Sequence, residues 1–402
     1  MTRRDFWVLA GANFAIALGY GVILPLLPTM LNDMAGVATP AAVAWHTAAL
    51  LGSYMLGLFA TAPLWGAVSD RIGGRGLLVF GMCGYAAALI AFAMAGSLTS
   101  AYSWRVLAGV AGGAVLPVVN TSIGNVPDRP VRARLFASAS MATLLGLLAG
   151  PAVSALVYAA MQRMGDVSEM TSTILVLPTA TAAVFALCVA VSVALGGVWT
   201  GAAYAADPAR RAHRIVWRQA SPALFASFLV LFGLGAFEAV LPVLNPTALS
   251  LNPPALGALL ALCMVVMLAV QTGLFLVPIL HRVARGPFLA AGFLVLAAGM
   301  ALLGQAGSLA GAALAVVLVG AGGAFLQPAI AYLATLNDAG ASGTLLGALT
   351  GAGSLGQGLG SFAGGALYAT FDANGLWVLA VGLAGGAAWI GAPVRAGAAR
   401  LN

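Results

Sequence analysis

The second half of this chain repeats motifs of its first half at an offset of about 210 residues. The segment Ala111–Leu116, which reads AGGAVL, returns as Ala321–Leu326, which reads AGGAFL. Single residues follow at nearly the same offset, in the pairs Arg71 and Arg282, Gly146 and Gly356, and Gly150 and Gly360. A duplicated membrane chain of this size is typical of a transporter, because two similar helix bundles can rock about a site that lies between them.

Long apolar stretches occupy both halves of the chain. Hydrophobic residues make up 62% of it and charged residues 7%, which is too few charges for the surface of a soluble domain. A membrane span takes about 20 residues. Twelve stretches are candidates, at about 6–28, 43–68, 77–97, 101–123, 135–160, 172–196, 220–244, 255–280, 287–304, 308–334, 344–368 and 375–394. The sequence therefore predicts an all-α membrane protein with twelve transmembrane helices in two pseudo-symmetric six-helix bundles.

The longest polar segment lies midway along the chain, between the sixth and seventh stretches. It covers about 197–219 and contains Arg210, Arg211, Arg214 and Arg218. A linker between two halves is expected there, either as a helix on the membrane surface or as a flexible tether. The predicted domains are an N-terminal bundle over 1–196, a cytoplasmic linker over 197–219 and a C-terminal bundle over 220–402.

The basic residues indicate the orientation of the chain. All 17 are arginine, and with the N-terminus inside the cell only Arg163 falls outside and only Arg105 falls within a span. This is a positive-inside distribution, so we expect a multi-pass inner-membrane protein with both termini in the cytoplasm. The net charge of +7 then reflects topology, and it gives no reason to expect nucleic acid as a partner.

The loop between the second and third stretches carries a charged motif, Gly66–Gly76, which reads GAVSDRIGGRG. Its glycines suit a tight turn, and a carboxylate at Asp70 is stabilised near a helix N-terminus and can pair with Arg71 or Arg75. The motif resembles the signature loop of the major facilitator superfamily, G-x-x-x-D-R-x-G-R-R/K, with Gly74 in place of a basic residue. The resemblance covers essentially the whole chain. It implies the superfamily fold, alternating access, and a gating role for Asp70, Arg71 and Arg75 on the cytoplasmic side.

The fourth stretch places a charge at membrane depth. Arg105 begins the segment RVLAGVAGGA, in which Gly109 and Gly112 share its helical face. An arginine within a span costs about 2.5–3.5 kcal/mol on insertion scales, so it should face a cavity or a partner. The segment resembles the superfamily motif R-x-x-Q-G-x-G, with Ala108 in place of Gln, which implies a role in substrate or proton movement. The alternative is that Arg105 snorkels to the headgroups.

The fifth stretch contains Gly146-Leu-Leu-Ala-Gly150-Pro151. Small residues four apart permit close helix packing, and Pro151 removes a backbone donor and bends the helix. The pattern resembles the antiporter motif of the drug:proton branch, although this chain lacks the Gly pair that follows in that family. The resemblance implies that Gly146, Gly150 and Pro151 act in gating, by sealing a helix pair against proton leak. The repeat-related Gly356 and Gly360 are expected to pack rather than to bind.

Glu238, in the seventh stretch, is the only acidic residue within a predicted span. A carboxylate at that depth either stays protonated or needs a partner, so Glu238 is the candidate proton-coupling residue, with Asp70 as the second. The superfamily resemblance places helices one, four, seven and ten around a central cavity, where Glu238 and Arg105 can pair in one conformation. The alternative is that Glu238 is a structural acid, permanently paired with a partner or hydrogen-bonded to the backbone.

Uncharged polar residues on the same four helices complete the candidate substrate-binding set. Together with Arg105 and Glu238 they are Asn13, Tyr20, Asn120, Asn245 and Gln327, and Tyr332 lies among them. Some are expected to line the cavity, and others to bond neighbouring helices.

The function predicted from the sequence is proton-coupled export of a small amphipathic or lipophilic compound by a monomer that needs no cofactor and no metal. A single acid among apolar walls suits a lipophilic cation, whereas Arg105 suits a zwitterionic or anionic metabolite or a metal chelator, so the substrate class stays open. A membrane receptor or scaffold that transports nothing is the alternative from another class. An enzyme is not expected, because the spans hold no nucleophile–base pair. ATP-driven transport is not expected either, because a P-loop requires a lysine, which this chain lacks.

Overall fold

The computed structural model describes residues 3–32, 40–164, 171–196, 217–241, 253–277, 286–336 and 342–391. Within these residues the chain forms helices and the turns between them, and no strand. The helices in chain order are α1 (Arg3–Ile23), α2 (Leu27–Asn32), α3 (Pro40–Ile72), α4 (Gly74–Ala93), α5 (Leu98–Gly124), α6 (Arg129–Met164), α7 (Thr171–Leu195), α8 (Trp217–Val240), α9 (Pro253–Leu276), α10 (Gly286–Gly304), α11 (Leu309–Ala334), α12 (Gly343–Phe371) and α13 (Ala373–Gly391). Asn245 and most of the linker predicted at 197–219 lie outside the described residues.

Ten of the described helices, α1 and α3 to α11, are long and apolar enough to cross a membrane. α13 contributes a shorter apolar stretch, Asn374–Trp389. α12 has 29 residues and is not among these ten. The all-helical membrane class is confirmed, and the count of twelve spans stays a prediction.

The duplicated sequence produces duplicated helices, as α5 and α11 show. Ser97 and Ser308 precede these helices with extended backbone, and each hydroxyl accepts from the N–H three residues further on, at 3.3 and 3.2 Å. Such an N-cap satisfies one of the free donors of the first turn. Both helices also contain a proline at the matching position, Pro117 and Pro328. The repeat found in the sequence is therefore a repeat of local structure.

The chain forms two compact units. The first contains Met1–Asn125, Ala139–His213 and Ser342–Gly351, and the second contains Val126–Ser138, Arg214–Ala341 and Ala352–Asn402. In the first unit α5 packs against α3 and α4, and α7 packs against α1 and α4. In the second unit α11 packs against α9 and α10, and α13 packs against α8 and α10. The same four pairings thus recur in both units, at the positions that the repeat relates.

The glycines of the fifth stretch hold α6 close to α1. A Cβ added at Gly146 would collide with the carbonyl oxygen of Phe14, and one added at Gly150 would collide with the backbone of Gly21. Ser154, one turn further on, donates its hydroxyl to the carbonyl oxygen of Val22 at 2.9 Å. The small residues therefore permit backbone-to-backbone packing of this helix pair.

The repeat-related glycines hold α12 close to α8 in the second unit. A Cβ added at Gly356 would collide with the carbonyl oxygen of Phe228, and one added at Gly360 with that of Phe232. The expectation that Gly356 and Gly360 pack is confirmed by these contacts.

Candidate functional site

Arg105 lies within an aromatic cage in the first unit. Its side chain is fully buried, and its guanidinium carbon lies 4.8 Å from the ring centre of Tyr54, 5.5 Å from that of Tyr20 and 5.7 Å from that of Phe92. Its Nε donates to the carbonyl oxygen of Leu50 at 3.3 Å. The three rings provide cation–π stabilisation for a charge that is removed from water.

The two terminal nitrogens of Arg105 are buried and find no hydrogen-bond partner among the described residues. A buried donor without a partner costs about 1–3 kcal/mol, and more when the group is charged. The guanidinium therefore has unused capacity to bind an anion, such as a carboxylate. Because the side chain is enclosed by protein, the snorkelling alternative does not describe this structure.

Two of the other candidate residues of the first unit lie apart from this cage. Asn13 is buried, and its amide donates to the carbonyl oxygen of Ala139 in α6 at 3.3 Å, so in this structure it bonds a neighbouring helix. Asn120 is half-buried on α5. It follows Arg105 by fifteen residues, a distance of about 22 Å along the helix at 1.5 Å per residue. Of the candidates that the structure describes, Tyr20 is the one brought into contact with Arg105.

Glu238 is exposed in the second unit, near the end of α8. Its Oε2 accepts a hydrogen bond from Nε2 of Gln357 on α12 at 3.2 Å. Gln357 is neutral, so the hydrogen-bond partner of the carboxyl group in the described structure is an amide rather than a cation. No role was assigned to Gln357 from the sequence, although a polar side chain between two glycines of an apolar helix was a signal that could have identified it.

The remaining candidates of the second unit do not join Glu238 in a described contact. Gln327 is half-buried on α11. Tyr332 is fully buried, its hydroxyl has no hydrogen-bond partner among the described residues, and its ring centre lies 5.6 Å from the guanidinium carbon of Arg132. Asn245 is outside the described residues.

Asp70 binds the N-terminus of α12. Its Oδ1 accepts from the N–H of Gly343 at 2.6 Å, and its Oδ2 accepts from the N–H and the hydroxyl of Thr344 at 2.9 and 2.8 Å. A carboxylate is stabilised by the free donors and the positive dipole of a helix N-terminus. The sequence predicts a carboxylate beside a helix N-terminus and allows a pair with Arg71 or Arg75. The structure shows the interaction with a helix N-terminus, but the helix is one that begins 273 residues later.

Arg75 binds the C-terminal end of a helix, α7. Its guanidinium donates to the carbonyl oxygens of Ala194 and Gly196, at 2.7 and 2.6 Å, just where α7 ends. A cation is favourable beside the negative end of a helix dipole. Arg71, four residues earlier, is exposed. Between them, Gly73 has a φ of 87°, which explains why this turn uses glycine.

A metal centre finds no support in the described part of the chain, where no group of three or more His, Cys, Asp or Glu side chains could hold an ion.

Comparisons with known proteins agree on one family. The sequence model of the Major Facilitator Superfamily matches residues 9–360. The class C tetracycline resistance protein of Escherichia coli is 33% identical over 152 residues, which are 38% of this chain and 37% of that protein. Multidrug resistance protein 2 of Bacillus subtilis is 22% identical over 68% of this chain and 66% of that protein. These matches thus span about a third to two thirds of the relatives' length.

A solved structure is similar along nearly the whole chain. The human organic anion transporter MFSD10 has a TM-score of 0.74 at 20% identity, over 96% of this chain and 99% of that one. At this level of identity the likeness concerns the fold, and it agrees with the helical membrane architecture described above.

Proposed function

The chain belongs to the Major Facilitator Superfamily, and we propose that it is a proton-coupled exporter of a small amphipathic or lipophilic compound. Its fold is the helical membrane fold of that family, and it is a multi-pass transporter rather than an enzyme. The observation that carries the proposal is Glu238, an accessible carboxyl group in a helix long enough to span a membrane, which accepts a hydrogen bond from a neutral amide. Similarity to tetracycline and multidrug resistance proteins supports export of drug-like compounds.

The proposed architecture is two six-helix bundles, with twelve spans and a linker at 197–219. The recurring helix pairings of the two units support it. The arginine distribution supports an inner-membrane protein with both termini in the cytoplasm, and we expect it to act as a monomer with protons and a small molecule as its partners.

Glu238 is the proposed proton-coupling residue. The described part of the chain places no cation in contact with it, and such an acid can gain and lose a proton without breaking an ion pair. Arg105, Tyr20, Asn13, Asn120, Asn245 and Gln327 form, with Glu238, the proposed substrate-binding set. Within this set Arg105 has the clearest chemistry, since its terminal nitrogens have hydrogen bonds left to make.

The proposed gating elements lie at two places. Asp70, Arg71 and Arg75 act on the cytoplasmic side, where the Asp70 contact with α12 supports the assignment, and Asp70 is the second candidate for proton coupling. Gly146, Gly150 and Pro151 act through the close packing of α6 on α1, which suits a seal between the two helices.

The test is proton efflux from inverted membrane vesicles with an acid interior, followed by an internal pH dye while tetracycline, a lipophilic cation or an organic acid is added. Export predicts compound-dependent efflux in the wild type that is lost in Glu238→Gln. The matched control is Asp372→Asn, which changes an exposed acid in the turn between α12 and α13 and should leave efflux intact. Asp372 has a φ of 49°, a conformation that asparagine tolerates.

A second substrate class is favoured by one observation, the unused donors of Arg105. If only zwitterions or organic acids drive efflux, the protein exports an anionic or zwitterionic metabolite or a chelator. Efflux that survives Glu238→Gln would move the coupling to Asp70. Compound binding without any proton movement would contradict coupled transport and favour the receptor or scaffold alternative.

A further inference from the structure

Gln357 is the described residue that hydrogen-bonds the carboxyl group of Glu238, with its Nε2 3.2 Å from Oε2. Gln357 stands between glycines whose function is packing. Its position in the structure gives it a different function from theirs, since it is the polar group that α12 presents to the proposed proton-coupling residue.

The backbone around Gln357 is held tightly against α8. A Cβ at Gly235, one turn before Glu238, would collide with the carbonyl oxygen of Gln357. That same oxygen accepts from the hydroxyl of Ser361 at 3.0 Å. Gly356 and Gly360, on either side of Gln357, contact the backbone of α8 directly. The two helices therefore have little freedom to slide, and the side chains of Gln357 and Glu238 are kept within reach of each other.

An amide can bond a carboxyl group in both of its protonation states. An ionised carboxylate only accepts hydrogen bonds, whereas a protonated carboxyl group also donates one. A glutamine carries N–H donors and a carbonyl acceptor on one terminal group, so a rotation of its amide exchanges one for the other. An arginine has donors only and would favour the ionised state. Gln357 is thus suited to a carboxyl group that must change its charge.

Few other titratable groups face this site. In the described residues, the helices α9 to α13 contain no Asp, Glu, His, Lys or Arg. Their titratable side chains are Cys263 on α9, Tyr332 on α11 and Tyr368 on α12. α8 itself adds Arg218, twenty residues before Glu238, which is about 30 Å along the helix. The segment Val126–Ser138, which also belongs to the second unit, adds the charged residues Asp128, Arg129, Arg132 and Arg134. Among the described residues, the amide of Gln357 is the group seen in hydrogen-bond contact with the Glu238 carboxyl group.

We propose that Gln357 is a positioning residue for proton exchange, which holds the Glu238 carboxyl group and satisfies it in both protonation states. Exchange of the proton then requires a rotation of one amide and no displacement of α8 or α12. The inference rests on the proposed role of Glu238 as the proton-coupling residue.

The experiment is an infrared pH titration of the purified protein in lipid vesicles. The carbonyl band of the protonated Glu238 is assigned by its loss in Glu238→Gln. In Gln357→Met the side-chain shape is kept, while the ionised carboxylate loses a charge-assisted hydrogen bond and the protonated group loses a weaker neutral one. The band should therefore persist to higher pH by about one unit. In Gln357→Glu two carboxyl groups face each other and cannot both ionise readily, so the shift should be larger. Gln271→Met is the matched control, because Gln271 donates to the carbonyl oxygen of Ala324 at 2.9 Å and bonds no acid.

An unchanged midpoint in both Gln357 variants would overturn the proposal, and so would a Glu238 band that does not titrate at all. A shift as large in Gln271→Met would also overturn it, since the effect would then be general. The vesicle assay separates this inference from the proposed function. Efflux that survives Glu238→Gln would refute proton coupling at Glu238, whereas shifted midpoints would still assign the positioning role to Gln357.

Discussion

Thr344 gives Asp70 two hydrogen bonds, one from its backbone N–H at 2.9 Å and one from its hydroxyl at 2.8 Å. The N–H of Gly343 adds a third at 2.6 Å. The contact joins the last turn of α3 to the first turn of α12. α3 supplies the carboxylate, and α12 supplies the N–H donors and the positive end of its dipole. Under the proposed alternating access, such a contact stabilises one state over the other.

Replacing Asp70 by Asn should slow proton-coupled efflux about tenfold. Asparagine keeps the shape but removes the charge and one acceptor, and hydrogen bonds to a charged group contribute about 1.5–3 kcal/mol. Thr344→Val removes only the hydroxyl and should reduce efflux less. Thr370→Val is the control, because Thr370 is exposed and its hydroxyl bonds its own helix at Ala366. Full efflux in Asp70→Asn would show that this contact does not limit the cycle.

Replacing Tyr54 by Leu should destabilise the protein by about 0.5–2 kcal/mol, because the ring nearest to the Arg105 guanidinium is lost. Tyr54→Phe keeps the ring and should keep most of the stability. Thermal unfolding of the purified protein at a fixed scan rate measures both. Phe59→Leu is the control, since Phe59 lies on the same helix but is 38% exposed. Equal losses in Tyr54→Leu and Tyr54→Phe would assign the effect to the hydroxyl instead.

Replacing Gly360 by Ala should destabilise the protein by about 1–3 kcal/mol, the usual range for overpacking. The added methyl group would collide with the carbonyl oxygen of Phe232, which a rigid helix backbone cannot move aside. Gly365→Ala is a matched control on the same helix, because a Cβ at Gly365 meets no atom within 4 Å. Thermal unfolding and purification yield are measured for both variants. Equal stability of Gly360→Ala and Gly365→Ala would show that α8 and α12 separate readily to accept the methyl group.

Charge and periodicity in the sequence identified residues that need an unusual environment in the structure. They did not identify which residues would be the partners. Glu238 and Arg105 are recognisable because a charge at membrane depth needs an explanation wherever it stands. The helix caps at Ser97 and Ser308 are also local features, since a cap is decided within a few residues, but they were not identified from the sequence. Gln357 and Tyr54 depend instead on which helix packs beside which.

The turn around Asp70 shows the same limit most clearly. Its sequence predicts a carboxylate beside a helix N-terminus, and the neighbouring α4 is the obvious candidate. The N–H groups that Asp70 binds belong to α12, whose first residue follows it by 273 positions. Only tertiary packing brings that helix end to the turn, and no local pattern in the loop could have indicated it.

Replacing Arg75 by Met should lower the stability of the protein by about 1 kcal/mol, while Arg71→Met should change it little. Both variants lose one positive charge from the same loop, so their effect on topology is the same. Only Arg75 caps a helix, through its bonds to the carbonyl oxygens of Ala194 and Gly196, and those two acceptors lose a charged donor in the variant. Thermal unfolding of the two purified variants, side by side, measures the difference. If both variants lose stability equally, the loop contributes through its charge, and the contact between Arg75 and the end of α7 is energetically neutral.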